Sequence, residues 1–289
     1  MENVVVIIII LLFFLFIISL VVGMYTRYGK KRGQPKISRE NLSLHLQKPR
    51  KTIAICFWGL TRSLQHTISS IEEMILEPLR EHGFQYKIFL HTYQLGKRYS
   101  NKRSGEKDCF LDPKEWKLLK PDHVLLENHE RVDQYIQLQQ YHSSPDPWKN
   151  NYQTLDNHVR ALWSLYKVTL LWENSSSQFD YVMYCRPDVL YLAPLQKSFF
   201  DELDEKSIVL PDFHEYPIND RFCIAESKVA AIYGKRFLKA LEYSKTKSLH
   251  SETFLHDTLR SHKITIHKRR IRFQRFRACS KIPQNDTTA

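Results

Sequence analysis

Residues 179–191 read Phe-Asp-Tyr-Val-Met-Tyr-Cys-Arg-Pro-Asp-Val-Leu-Tyr, an apolar run that passes without a break into Arg186-Pro187-Asp188. Its centre, Tyr181 to Cys185, shows no alternation with charged residues, so it reads as a strand buried on both faces in a parallel-type sheet. Pro187 lacks an N–H and ends the ladder. Asp188 then lies beyond the carboxyl end of a buried strand, where open α/β sheets bind their ligands. A carboxylate there suits magnesium or manganese bridging phosphates, because hard cations take oxygen donors. Arg186 has two other roles open to it: pairing with Asp188 within the loop, or gripping a phosphate directly.

Working outward, Thr52 to Trp58 (TIAICFW) is a second continuous apolar run, ended by Gly59. Ser63 is placed to cap a helix whose apolar positions Leu64, Ile68, Ile71, Ile75 and Leu79 recur at steps of three and four. Tyr86 to Thr92, His123 to Glu127 and Ile208 to Leu210 read as further strands. Helices are expected over Tyr152 to Glu173, Val229 to Tyr243 and Glu252 to Leu259. Strands alternating with helices predict an α/β domain with a mainly parallel central sheet covered on both faces. The C-terminal part is expected to be helical rather than a second sheet, with the tail from Ile266 to Ala278 reading as a terminal strand or an irregular segment.

Three further segments carry polar groups that suit chemistry. In Phe57-Trp58-Gly59-Leu60-Thr61-Arg62-Ser63 a glycine turn leads into a helix N-terminus, whose free N–H groups and dipole favour an anion, with Arg62 adding a fork of donors. Glycine count and spacing exclude a P-loop and a dinucleotide fingerprint, and a plain turn with a solvated arginine is the competing reading. The loop Pro211 to Phe222 holds Asp212, His214, Glu215 and Asp220, which its composition does not rank. In Leu249-His250-Ser251-Glu252-Thr253-Phe254-Leu255, Ser251 is placed to cap a helix. Glu252 suits a general base or a sugar-hydroxyl ligand, or simply the acid that the helix dipole favours. No nucleophile elbow, CxxC pair or HExxH occurs, and His123, His129, His142, His256 and His262 lack metal-ligand spacing. Asp201 to Glu205 reads as a solvated helix face.

The 289-residue chain has a net charge of +12 and 43% hydrophobic residues, both unevenly spread. Val4 to Val22 contains no charge and a single polar residue, Ser19; as a helix it spans roughly 28 Å, enough for the hydrocarbon core. No basic n-region precedes it, so an uncleaved anchor is expected rather than a signal peptide. Nine basic residues from Arg27 to Lys51 face Glu40 alone, a local charge of +8. Another +8 falls between Lys263 and Lys281 (Lys263, Lys268, Arg269, Arg270, Arg272, Arg275, Arg277, Lys281), leaving the body at −4. The high charge is therefore no argument for nucleic-acid binding by the whole domain. We place the transmembrane anchor at residues 1–23, a basic linker at 24–51 and the α/β domain at 52–289. Positive charge just after the span favours a cytosolic domain, as do five cysteines read as free in a reducing compartment. Sequons at Asn41, Asn174 and Asn285 leave a lumenal Golgi or ER domain open.

Taken in order, GLTRS after the first strand, FLHTY at the second, the long helix, DYVMYCRPDVLYL, PINDRFCIA and LHSETFL resemble glycosyltransferase-like proteins of GT-A fold found among large DNA viruses and microbes. The resemblance covers roughly residues 52 to 277. It implies a single Rossmann-like domain in which Gly59 and Arg62 lie by a nucleotide, Asp188 takes the role of a DxD metal ligand, and Asp220 or Glu252 faces donor sugar or acceptor. It also implies a nucleotide-sugar donor, a manganese or magnesium cofactor, and a glycan, lipid or protein acceptor. Arg186 stands where the first carboxylate of a DxD would be, so the metal is in question and arginine is an alternative partner for the diphosphate. Two other readings remain: an inactive membrane-tethered scaffold, and a single-stranded nucleic-acid-binding module using the alternating basic and apolar tail Ile266 to Ala278.

Overall fold

The computed structural model describes residues 18, 50–101, 104–280 and 282, and residues from Arg50 onward form one compact unit. Apart from Ile18, the span read at residues 4–22 lies outside the described residues, as does nearly all of the linker. No described helix is long and apolar enough to cross a membrane.

Seven strands form the central sheet: β1 (Thr52–Trp58), β2 (Gln85–Tyr93), β5 (His123–Glu127), β6 (Tyr181–Cys185), β8 (Ser207–Pro211), β9 (Cys223–Glu226) and β10 (Thr265–Arg269), in the order β10-β8-β9-β6-β1-β2-β5. All neighbours are parallel except β9, which runs antiparallel to both β6 and β8. The loop from Pro211 to Cys223 is a direct return, too short for a helical crossover, so β9 must reverse. One edge therefore carries the carboxyl ends of six strands and the amino end of β9.

The unbroken apolar character of β1 follows from the period of two. Ile53, Ile55 and Phe57 pack with Leu64, Ile71 and Leu79 on one face, and Ala54, Cys56 and Trp58 pack with Leu165, Val168 and Trp172 on the other. The first face is covered by α1 (Leu64–Ile71), a π-helical turn (Glu72–Leu76) and α2 (Glu77–Glu81). Pro78 has no N–H for the carbonyl of Met74, and the Leu195 N–H takes that acceptor at 2.8 Å instead. Between β5 and the next long helix runs α3 (His129–Ile136). The second face is covered by α4 (Gln153–Glu173).

Four expectations are corrected. Ser63 makes no side-chain cap; its hydroxyl donates to the Phe276 carbonyl at 2.8 Å. The helix expected over Val229–Tyr243 is two, α6 (Ser227–Gly234) and α7 (Phe237–Thr246), following the short α5 (Ser198–Asp201). The Asp201–Glu205 run is accordingly not a helix face, because the helix ends at Asp201. After α8 (Ser251–Ser261) the chain does not end in helix: β10 joins the main sheet and β11 (Phe273–Arg275) pairs antiparallel with β7 (Val189–Tyr191). The tail's period-two alternation was the strand signal.

The cysteines overturn one premise. Cys109, on β4 (Glu106–Phe110), is disulfide-bonded to Cys279; β4 forms a hairpin with β3 (Arg98–Asn101). Cys56, Cys185 and Cys223 are free and buried. With two of five cysteines bonded, cysteine usage no longer argues for a reducing compartment.

Candidate anion-binding site

Gly59 closes β1 with φ +96, a backbone open to glycine at little cost, and a Cβ there would touch the Arg186 guanidinium at 3.5 Å. The absent side chain lets Arg186 lie against the turn and over the Trp58 ring, 5.0 Å from its centroid. The turn is held from behind. Gly59 N–H donates to Ser164 Oγ (2.8 Å), which is 2.7 Å from His91 Nδ1, and His91 Nε2 is 2.8 Å from Glu127 Oε2. An ionised Glu127 requires the proton on Nε2, so Nδ1 accepts from the serine and the neutral ring is fully partnered. Burial pushes the His91 pKa down, in keeping with a neutral ring.

In front of this turn Asp188 is completely buried. Arg186 grips it through Nε to Oδ1 (2.9 Å) and Nη2 to Oδ2 (2.9 Å). Arg62 Nη2 approaches at 3.4 Å and Arg277 Nη1 at 3.5 Å. Burial works to raise the Asp188 pKa, but the charges of Arg186, Arg62 and Arg277 outweigh it and hold the group at about 2. Arg62 also donates to Glu106 Oε2 (2.9 Å) and to the Tyr99 hydroxyl (2.6 Å). Three guanidinium groups thus share two carboxylates, a local surplus of positive charge. Arg62 is buried behind, whereas Arg186 and Arg277 keep 21% and 15% of their side chains exposed at the front.

The geometry bears on two readings at this site. Arg62 is not a solvated turn residue; its exposure is 5%. Asp188 does not fit a divalent cation, since its carboxylate is already met by three cations. Among the described residues no cluster of three or more His, Cys, Asp or Glu is arranged to hold a metal. Two residues before Asp188, where a second carboxylate would help to hold a metal, the chain has Arg186.

A second group lies at the amino end of β9. Cys223 pairs with Tyr184 on β6, so residues 219–221 run on past the carboxyl end of β6. Asp220 and Glu252 are both at least nine-tenths buried. Burial, then the charge of Asp220, pushes the Glu252 pKa up. Arg221 Nη2 is 3.6 Å and His250 Nδ1 3.5 Å from Glu252, and Ser251 bonds it rather than capping α8. Tyr233 donates to the Asp220 carbonyl at 2.6 Å, fixing the loop. Beside them burial holds the His158 pKa at about 3, so its ring is neutral. His158 Nε2 and Arg236 Nε and Nη2 are buried with no hydrogen-bond partner among the described residues.

The structure therefore brings Gly59, Arg62, Arg186 and Asp188 into one cluster and Asp220 and Glu252 into another. Arg277, Glu106, Tyr99, His91 and His158 were not singled out as site residues. Asp212 and Glu215 pair with Arg272 and Lys268 and serve to fasten the tail. Arg269 pairs with Glu202, so much of the basic strip is already neutralised, which weakens the single-stranded nucleic-acid reading. Farther along the same edge an open cleft of about 700 Å³ is lined by Gln94, Glu127, Arg131, Tyr135, Trp163 and Lys167.

The chain is thus an α/β protein whose candidate site lies at the carboxyl ends of its parallel strands. No family model matches it, and no curated protein sequence matches it. Among solved structures it is similar to the apo-form glycosyltransferase GlyE of Streptococcus pneumoniae TIGR4, at 12% identity and a TM-score of 0.38. That alignment covers 76% of this chain and 46% of the other, so this chain spans about half the length of that protein. Function has to be read from the site itself.

Proposed function

We propose that the protein is a membrane-anchored glycosyltransferase of GT-A type that holds the diphosphate of a nucleotide-sugar with arginines in place of a metal. The observation that carries this is the convergence of Arg62, Arg186 and Arg277 on buried Asp188, beside the Gly59 turn. Asp188 here is the counter-ion that arrays the guanidinium groups; Arg186 and Arg277 face the ligand. In sugar transfer the bond from the anomeric carbon to the diphosphate breaks as the bond to the acceptor oxygen forms. Charge develops on the leaving diphosphate, and prearranged guanidinium groups stabilise it most in the transition state. The proton from the acceptor hydroxyl goes to a carboxylate, for which Glu252 is the candidate, with Asp220 keeping its affinity for the proton high. An anchor at residues 1–23 would tether the domain to a bilayer, which suits a glycan, lipid or protein acceptor displayed there.

The test is release of nucleoside diphosphate from a panel of nucleotide-sugars by the full chain, with chelator present. We expect turnover with at least one donor, lost in Arg186→Ala and Glu252→Gln. Release by no donor, with or without manganese, favours the inactive scaffold, a reading supported by the full engagement of Asp188 by protein cations.

A further inference from the structure

The third guanidinium reaches the site by a route that can be broken. Residues 270–280 return across the mouth of the arginine cluster as a strap. Phe276 N–H donates to the Asp188 carbonyl (2.8 Å), and Ser63 donates to the Phe276 carbonyl (2.8 Å). The next residue, Arg277, aims Nη1 at Asp188. Ala278 N–H then donates to Glu106 Oε1 (2.7 Å), and Cys279 is bonded to Cys109. Glu106 and Cys109 lie on the same strand, β4, and Glu106 is also the second carboxylate on Arg62. The disulfide therefore joins two pieces of the site 170 residues apart in sequence.

Besides this bond, the end of the strap after Phe276 is held by the Ala278 hydrogen bond and a small satellite core. The satellite core around it comprises Cys109, Leu111 and Ala278, with Leu95 and Tyr99 at its margin. Arg277 sits among like charges. Burial and then the charge of Arg62 push its pKa down to about 10, and its Nε has no hydrogen-bond partner among the described residues. With two like charges beside it, Arg277 keeps its place through Asp188 and through whatever fixes the backbone around it.

We infer that Cys109 and Cys279 are positioning residues: their disulfide latches Arg277 into the anion site, which is complete only in the oxidised protein. The inference rests on the anion-site reading above. Reduction by a dithiol delivers two electrons and two protons to the bond, leaving two protein thiols and a cyclic reagent disulfide. A structural disulfide persists in an oxidising compartment, so the latch also puts the domain on the oxidising side of the membrane, opposite to the side favoured by the basic flank.

The experiment is calorimetric titration of the full chain in detergent with inorganic pyrophosphate and with uridine diphosphate, before and after dithiothreitol. We expect reduction to weaken binding about tenfold or more, the scale of one charge-assisted contact, and reoxidation to restore it. Arg277→Ala should weaken binding as much, and reducing that variant should weaken it no further. Cys279→Ser should match the reduced protein with unchanged far-ultraviolet circular dichroism. Equal binding by oxidised and reduced protein overturns the latch while leaving the anion site standing, as do additive losses from reduction and Arg277→Ala. Failure of the oxidised protein to bind either probe overturns both.

Discussion

Asp188 shows how one residue's role changes with its neighbours. A carboxylate at the end of a buried strand is a metal ligand when a second acid stands beside it, and a counter-ion when its neighbours are arginines. Its depressed pKa makes a stability contribution that is fully present above the unfolded value of about 4 and is lost as pH falls through about 2. Urea midpoints measured between pH 5 and pH 2.5 should fall steeply in the wild type and with a reduced slope in Asp188→Asn. That variant leaves three crowded cations with only Glu106, so it should lose about 3–5 kcal/mol at pH 7. Glu252 shifts the other way. Its raised pKa puts the acid limb of a pH–rate profile above that of an ordinary glutamate, if it is the base. Because Asp220 contributes to that rise, Asp220→Asn should move the limb to lower pH, leaving the part due to burial. A limb that does not move would remove Glu252 from the role of base.

At the scale of elements, legibility followed period and length. Tyr181–Cys185, Thr52–Trp58 and His123–Glu127 were readable to the residue, because unbroken or flanked apolar runs bounded by charge or glycine have few other readings. β9 was not, since four residues after a proline-rich loop carry too little pattern, and its reversal is a matter of loop length. The break between α6 and α7 was hidden for another reason. A Cβ on Gly234 would collide with the Thr169 side chain and the Tyr184 hydroxyl, a contact between α6, α4 and β6 that no local pattern announces. Gly234→Ala should therefore cost about 1–3 kcal/mol by overpacking, despite alanine's better helix propensity. A thermal scan showing stabilisation would mean that the helices separate more easily than their packing indicates. Within the site, Arg186 and Asp188 were legible because they follow a strand end, and Arg62 because it stands in the turn between a strand and a helix. Arg277 and Glu106 were not, because their contribution depends on a hairpin and a tail folding back over the edge.

Across the whole molecule, charge and cysteine chemistry point to opposite sides of the membrane in which the proposed anchor would sit. The basic flank after the apolar run favours the cytosol, whereas the Cys109–Cys279 bond calls for an oxidising environment. Asn174 supplies an internal reporter: it is exposed at the end of α4 within a sequon. If the domain matures in the lumen, the protein should carry an endoglycosidase-sensitive gel shift that Asn174→Gln reduces. A fully protected, unshifted protein with free Cys109 would place the domain in the cytosol.

The central claim is that arginines hold a diphosphate at the carboxyl edge of the sheet. Calorimetric titration of nucleoside diphosphates into the full chain in chelator, at low and raised salt, tests it most directly. The account predicts binding that survives the chelator, weakens as salt rises, and falls about tenfold or more in Arg186→Ala. Binding that appears only when manganese is added, or that Arg186→Ala leaves unchanged, would contradict it.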